Sequence, residues 1–208
     1  MSKVARKYWK PIIFALSLII FIAISRLLLK NQISSFDDFI FSFISQFRCE
    51  PLTYFFRFVS FLCSTWFLIL ATVLIMTFSK NRKNALYIGL NVLLCFLLNQ
   101  SFKLLFARER PIDINLIVEN GYSFPSGHSM VSLAFYGFFI YIIIHKRMKR
   151  KKKILYCSLL ALLTLLIGIS RIYLGVHYVS DVIAGFCFSI AYLIIFCGIT
   201  KKYIKKGE

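Results

Sequence analysis

Apolar residues run almost unbroken through 12–29, 58–78, 85–106, 125–144, 154–175 and 177–200. Each run approaches the ~20 residues that carry a helix across a hydrocarbon core. The pattern therefore predicts an all-α protein, a bundle of six transmembrane helices. The fifth run is the weakest, since Ser170 and Arg171 interrupt it. Residues 30–54 depart from the rhythm: Asp37 and Asp38 lead into apolar–polar alternation through Phe47. That stretch predicts an amphipathic helix lying in the interface, followed by a loop. A basic start precedes the first run, and Ala23-Ile24-Ser25 has the small-residue look of a signal-cleavage site. The apolar run continues past it, so a retained anchor is expected. No linker, internal repeat or soluble segment divides the chain, and residues 1–208 are expected to form a single membrane domain.

Composition supports the membrane reading, with 59% hydrophobic residues and a mean hydropathy of +0.76. The net charge of +18 would suit a nucleic-acid binder if the cations formed a face. They do not; they cluster between the apolar runs. Four lie in the first ten residues, three in the 79–84 turn (Lys80, Arg82, Lys83), seven in 145–153 and four in the tail (Lys201, Lys202, Lys205, Lys206), eighteen of 26 in all. With six spans, the positive-inside rule places both termini and both basic loops in the cytoplasm. The run from His145 to Lys153 is expected to be a solvated, topology-setting loop, with contact to anionic headgroups as the alternative. The six cysteines have no metal-type spacing and are expected as small buried side chains, without a disulfide framework or a zinc site.

Three polar islands remain, and they carry the candidate chemistry. Lys103 and Arg110 lie seven residues apart, about two helical turns, so they share a face. Pro111 disfavours helix at Arg110, which should project from the start of a loop. Pro125-Ser126-Gly127-His128 opens the fourth span, where a helix N-terminus with free amides is an anion seat. The third island runs from Ser170 to Asp181. If the chain is helical from about His177, Asp181 lies over the same face and can orient the imidazole, leaving its other nitrogen as nucleophile or base. Arg171 supplies a fork suited to phosphate. In the six-span layout all three islands emerge on one side, the extracytoplasmic one.

These islands resemble the three signature motifs of the type 2 phosphatidic acid phosphatase (PAP2) superfamily. They read here as Lys103-x6-Arg110-Pro111, Pro125-Ser126-Gly127-His128 and Ser170-Arg171-x5-His177-x3-Asp181. The six-span layout likewise resembles small bacterial members of that family. The resemblance implies hydrolysis without a metal or any other cofactor. His177 would form a phosphohistidine, with Asp181 holding its ring. His128 would protonate the leaving oxygen and then activate water. Lys103, Arg110, Arg171, the Ser126 side chain and the Gly127 backbone would cradle the phosphate. Charge stabilisation and positioning are what phosphoryl transfer needs, and three cations supply them. A serine nucleophile at Ser126 is the weaker alternative, because no GxSxG elbow is present and helix capping accounts for the residue. Asp113, Glu109 and Glu119 of the 107–124 loop are expected at the surface or at a substrate gate.

By that resemblance the partner is a lipid phosphate within a bilayer, not a nucleic acid. Undecaprenyl pyrophosphate at the outer face of the bacterial cytoplasmic membrane is the first expectation. Phosphatidylglycerophosphate, or a broad range including phosphatidic acid, is close behind. Phosphotransfer to another acceptor and a non-enzymatic lipid carrier are the remaining alternatives.

Overall fold

The computed structural model describes residues 3–79, 81–111 and 114–204, and the side chains of all of these but 3–7 and 202–204. Lys80, Asp113, Lys205 and Lys206 lie outside the described residues, as do the side chains of Lys3, Arg6, Lys7 and Lys202. The described chain is all α-helical: α1 (Lys3–Leu29), α2 (Ser34–Ser45), α3 (Glu50–Phe61), α4 (Thr65–Phe78), α5 (Arg82–Phe106), α6 (Gly127–His145), α7 (Arg150–Tyr173) and α8 (Val179–Ile204). Among the described residues five helices are long and apolar enough to cross a membrane; α3 and α4, bent by 45° at their junction, count as a sixth if taken together. The break falls inside the expected 58–78 run. Ser64 is extended there, and its hydroxyl caps α4 by accepting from the Phe67 amide at 3.2 Å.

The distribution of polarity is that of a membrane protein. Trp66, Phe78, Leu104 and Leu105 are among many large apolar side chains facing outward, whereas Asn91, Asn99, Ser129, Ser170, Arg171 and Asp181 are buried. In a bilayer an outward apolar surface is solvated by acyl chains, and polar groups must find partners within the bundle. Tyr192 donates to the Asn91 carbonyl, and Ser189 donates to the Met130 carbonyl from α8 across to α6.

Helix α6 is the central element, packed against α5, α7 and α8, while α1 lies along α8. The main core joins Met130, Ala134, Phe135 and Phe138 of α6 to Ile88 and Cys95 of α5, Ile167 of α7 and Phe196 of α8. Phe21, Phe102, Phe106, Phe124 and Phe188 form an aromatic cluster that anchors the loop at Phe124. Helix α2 turns Phe36, Phe39 and Phe43 outward, with Phe47 exposed just beyond it, while Ile33 and Asp37 are buried and Ile40 and Ile44 pack against Ile172, Val179 and Val182. Its apolar surface is thus double-sided, and the inner side carries a carboxylate.

Candidate functional site

Two short connections bring the polar islands together. Helix α5 ends at Phe106, and Ala107 takes the left-handed conformation, turning the chain so that Arg108 and Arg110 follow in a loop. Helix α7 ends at Tyr173, and Gly175 reverses the chain at φ +72°. A β-carbon there would collide with the Ile114 carbonyl oxygen, so this position needs glycine for space as well as for conformation. His177 sits in this connector, and α8 begins two residues later, at Val179 rather than at His177.

That shift in helix start does not separate the pair, because Asp181 stands in the first turn of α8. Its Oδ2 accepts from the Tyr178 amide at 3.1 Å, the return half of a capping box, and meets His177 Nδ1 at 3.3 Å. The other ring nitrogen, Nε2, lies 3.1 Å from Nη1 of Arg110. A guanidinium only donates, so Nε2 must accept and Nδ1 must carry the proton that Asp181 receives. The pair therefore presents a lone pair on Nε2, pointing at a cation.

The other sequence-nominated residues converge on the same place. Lys103, from the last turn of α5, is within electrostatic range of Arg110, Glu119, Arg171 and Asp181. His128, in the first turn of α6, feels Arg171, His177, Lys103 and Arg110. Arg171 is 1% exposed; its Nη1 donates to Ser60 Oγ of α3 and its Nη2 to Glu119 Oε1, while Nε is buried without a partner among the described residues. Arg110 also donates to the Gly121, Asn120 and Val176 carbonyls, tying the loop to the α7–α8 connector. Burial, then the positive charges of Arg110, Arg171 and Lys103, hold His177 well below the usual imidazole range, so it is neutral.

Ser126 is fully buried, and its hydroxyl accepts from the Ser129 amide and hydroxyl, which makes it the N-cap of α6. Its own amide donates to the Asp181 carbonyl at 3.0 Å, linking the second island to the third. Among the described residues the Gly127 and His128 amides have no acceptor, and they remain the free donors of that helix terminus. Gly185 of α8 lets this turn approach closely: a β-carbon there would come within 3.0 Å of the Ser126 carbonyl oxygen.

Several contributors were not singled out from sequence. Asn99 donates to the Pro125 carbonyl at 3.0 Å and braces the α6 turn from α5. Its spacing four residues before Lys103 on the inner face was the available signal. Arg108, between the two nominated cations, binds Asp181 Oδ1 at 2.6 Å and Asp37 Oδ2 at 2.7 Å. Asp37 lies at the spacing of Ile33, Ile40 and Ile44, which marks it as a carboxylate on an apolar face. Glu119 enters the cationic seat itself through Arg171, while Glu109 stays exposed.

An all-helical, multi-span membrane protein with this concentration of phosphate-type donors has a known counterpart. The chain belongs to the PAP2 superfamily, whose sequence profile matches residues 84–205, more than half of it. Phosphatidylglycerophosphatase B from Bacillus subtilis (strain 168) is 37% identical over 119 residues, which is 55% of this chain and 59% of that protein. The match thus spans less than two thirds of that relative's length. The crystal structure of the first transmembrane PAP2 type phosphatidylglycerolphosphate phosphatase from Bacillus subtilis superimposes with a TM-score of 0.80 at 29% identity, covering 94% of this chain and 97% of that one. Aquifex aeolicus LpxE superimposes with a TM-score of 0.59, also at 29% identity, over 79% of this chain and 93% of that one.

Proposed function

We propose that this protein is a lipid phosphate phosphatase of the cytoplasmic membrane working through a phosphohistidine on His177, with no metal. The observation that carries the reading is the His177 ring, held by Asp181 through Nδ1 and offering the Nε2 lone pair to a seat of cations. The phosphate displaces Arg110 from Nε2, and Arg110, Arg171 and Lys103 take its oxygens together with the Ser126 hydroxyl and the Gly127 amide. His177 Nε2 attacks phosphorus as the bond to the leaving oxygen breaks, and His128 delivers a proton to that oxygen. His128 then takes a proton from water, whose oxygen displaces His177 and releases inorganic phosphate. Each charge that develops meets a fixed cation or amide, which is where most of the acceleration in phosphoryl transfer resides. A divalent ion would face Arg110, Arg171 and Lys103 here, and this donor set repels it.

The likeness to Bacillus subtilis phosphatidylglycerophosphate phosphatase, in sequence and in structure, makes phosphatidylglycerophosphate the leading substrate. Undecaprenyl pyrophosphate is the second reading, favoured by orientation: the basic 145–153 loop and the basic ends are assigned to the cytoplasm, which turns the site outward. Release of inorganic phosphate by purified protein in detergent, with EDTA present, tests the proposal. Phosphatidylglycerophosphate, undecaprenyl pyrophosphate and phosphatidic acid are compared for wild type and His177→Ala. Turnover that survives EDTA and vanishes in the variant supports the reading. Turnover lost on EDTA contradicts the metal-free site, and release by the variant contradicts the nucleophile.

A further inference from the structure

The most heavily bonded carboxylate beyond the three motifs is Asp37, and its partners lead to the nucleophile. Asp37 is 1% exposed on α2. Its Oδ1 accepts from the Ser180 amide at 2.9 Å, and its Oδ2 accepts from the Ser180 hydroxyl and from Arg108 Nη2, each at 2.7 Å. Arg108 Nη1 donates in turn to Ser180 Oγ at 2.8 Å and to Asp181 Oδ1 at 2.6 Å, and the guanidinium lies 3.8 Å over the Tyr178 ring. Asp181 closes the chain on His177 Nδ1. The order is Asp37–Arg108–Asp181–His177, drawn from α2, the α5–α6 loop, α8 and the α7–α8 connector.

Paired with Arg108 alone, Asp181 would spend much of its charge on the guanidinium and leave little for the imidazole. Arg108 favours the charged form of Asp181, and a second carboxylate on the far side of Arg108 offsets that cation, so more of the negative potential of Asp181 reaches His177. Asp37 also caps the first turn of α8 from a different helix, fixing the backbone that carries Asp181. A simple surface ion pair would do neither, and here both carboxylate side chains are fully buried and Arg108 is 11% exposed.

We infer that Asp37, acting through Arg108, is a positioning residue for the His177–Asp181 pair. The inference rests on the proposed roles of His177 and Asp181. It also ties α2, whose Phe36, Phe39 and Phe43 face outward, to the chemistry.

The charged groups around the relay fix the expected signs. Arg108 faces Asp181, Asp37 and the Tyr178 ring, with Asp38 nearby on α2. His177 faces Arg110, Arg171, Lys103, His128, Asp181 and the Ser123 backbone. Asp37→Asn removes a negative charge and leaves Arg108 uncompensated, so His177 becomes harder to protonate. Arg108→Gln removes the positive charge, so His177 becomes easier to protonate. Arg108→Lys keeps the charge and holds His177 near wild type.

The test is a ¹⁵N-histidine NMR titration of the full chain in detergent, with kcat and KM for phosphatidylglycerophosphate measured alongside. Only three histidines are present, and His177→Ala assigns the signal. The expected result is a kcat reduced about 10- to 100-fold in Asp37→Asn with KM within about twofold, and a His177 titration moved down, by about half a unit or more. In Arg108→Gln the titration moves up, and in Arg108→Lys it stays. A general loss of folding would not move the two charge variants in opposite directions. Wild-type kcat and titration in both Asp37→Asn and Arg108→Gln, or shifts of the same sign, overturn the inference. If Asp37→Asn fails to accumulate in membranes, Arg108→Gln against Arg108→Lys decides by the same criteria. Activity retained in His177→Ala would instead overturn the reading on which the inference rests.

Discussion

Glu119 Oε1 accepts a hydrogen bond from Arg171 Nη2, so the most buried cation of the seat already holds an anion supplied by the α5–α6 loop. The Glu119 side chain is 30% exposed and exerts its charge on Lys103 and Arg110 as well. In the proposed reaction a substrate phosphate must therefore displace a carboxylate. Glu119→Gln is expected to tighten inhibition by orthovanadate, and to lower KM, by about tenfold, the scale of one charge-assisted contact of ~1.5 kcal/mol. Weaker vanadate inhibition in the variant would mean that Glu119 orders the seat and does not compete for it.

Asn99 is a support with no chemistry of its own. Replacing it by Leu strips the Pro125 carbonyl of its donor in a buried setting, at about 1–3 kcal/mol. For a chain of this size the apparent Tm in detergent should fall by several degrees, roughly 2–4 °C per kcal/mol. Loss of the brace under Ser126 and Gly127 should also raise KM more than it lowers kcat. An unchanged Tm with unchanged KM would show that the turn holds itself.

Sequence reading reached the helices and the three islands because bilayer thickness and the cost of buried charge leave plain marks in a chain. It did not reach Asp37. The stretch around it is apolar on two sides, and alternation through Phe47 looked like a single interfacial face. Arg108 was hidden between Lys103 and Arg110, where only three-dimensional packing shows that it pairs with Asp181. The break between α3 and α4 was equally hidden, since Ser64 within an apolar run gives no signal until its hydroxyl caps the next helix. The start of α8 at Val179 was missed because His177 and Asp181 meet as well from connector to first turn as they would within one helix.

Depressed basicity at His177 has a pH signature with a definite sign. Burial and the surrounding cations hold the folded histidine neutral, whereas in the unfolded chain it takes up a proton near pH 6.5. Stability contributed by this site is therefore intact above about pH 6.5 and is lost progressively as the pH falls below it. The acid limb of kcat/KM should likewise lie well below pH 6.5, after correction for titration of the substrate. A limb at the ordinary histidine position would show that His177 is more solvated than its surroundings imply.

Gly175→Ala probes the connector that carries His177, the proposed nucleophile. The left-handed backbone costs an alanine ~1 kcal/mol, and the new β-carbon meets the Ile114 carbonyl and Arg48 Nη2, 2.8 Å away. Arg48 also donates to the Tyr173 carbonyl, so the disturbance spreads to the end of α7. The variant should lose activity at least tenfold with a lower Tm, measured by phosphate release and thermal unfolding in detergent. Full activity would mean that the connector relaxes without moving His177.

The nucleophilic role of His177 is tested most directly by trapping the intermediate. Purified protein is mixed with lipid labelled in its terminal phosphate, in EDTA, and quenched in base within milliseconds. The account predicts label bound to protein that survives base, is lost in acid, and maps to the peptide containing His177, with none in His177→Ala. Label on Ser126, or phosphate release in bursts with no labelled protein at any time, would contradict it.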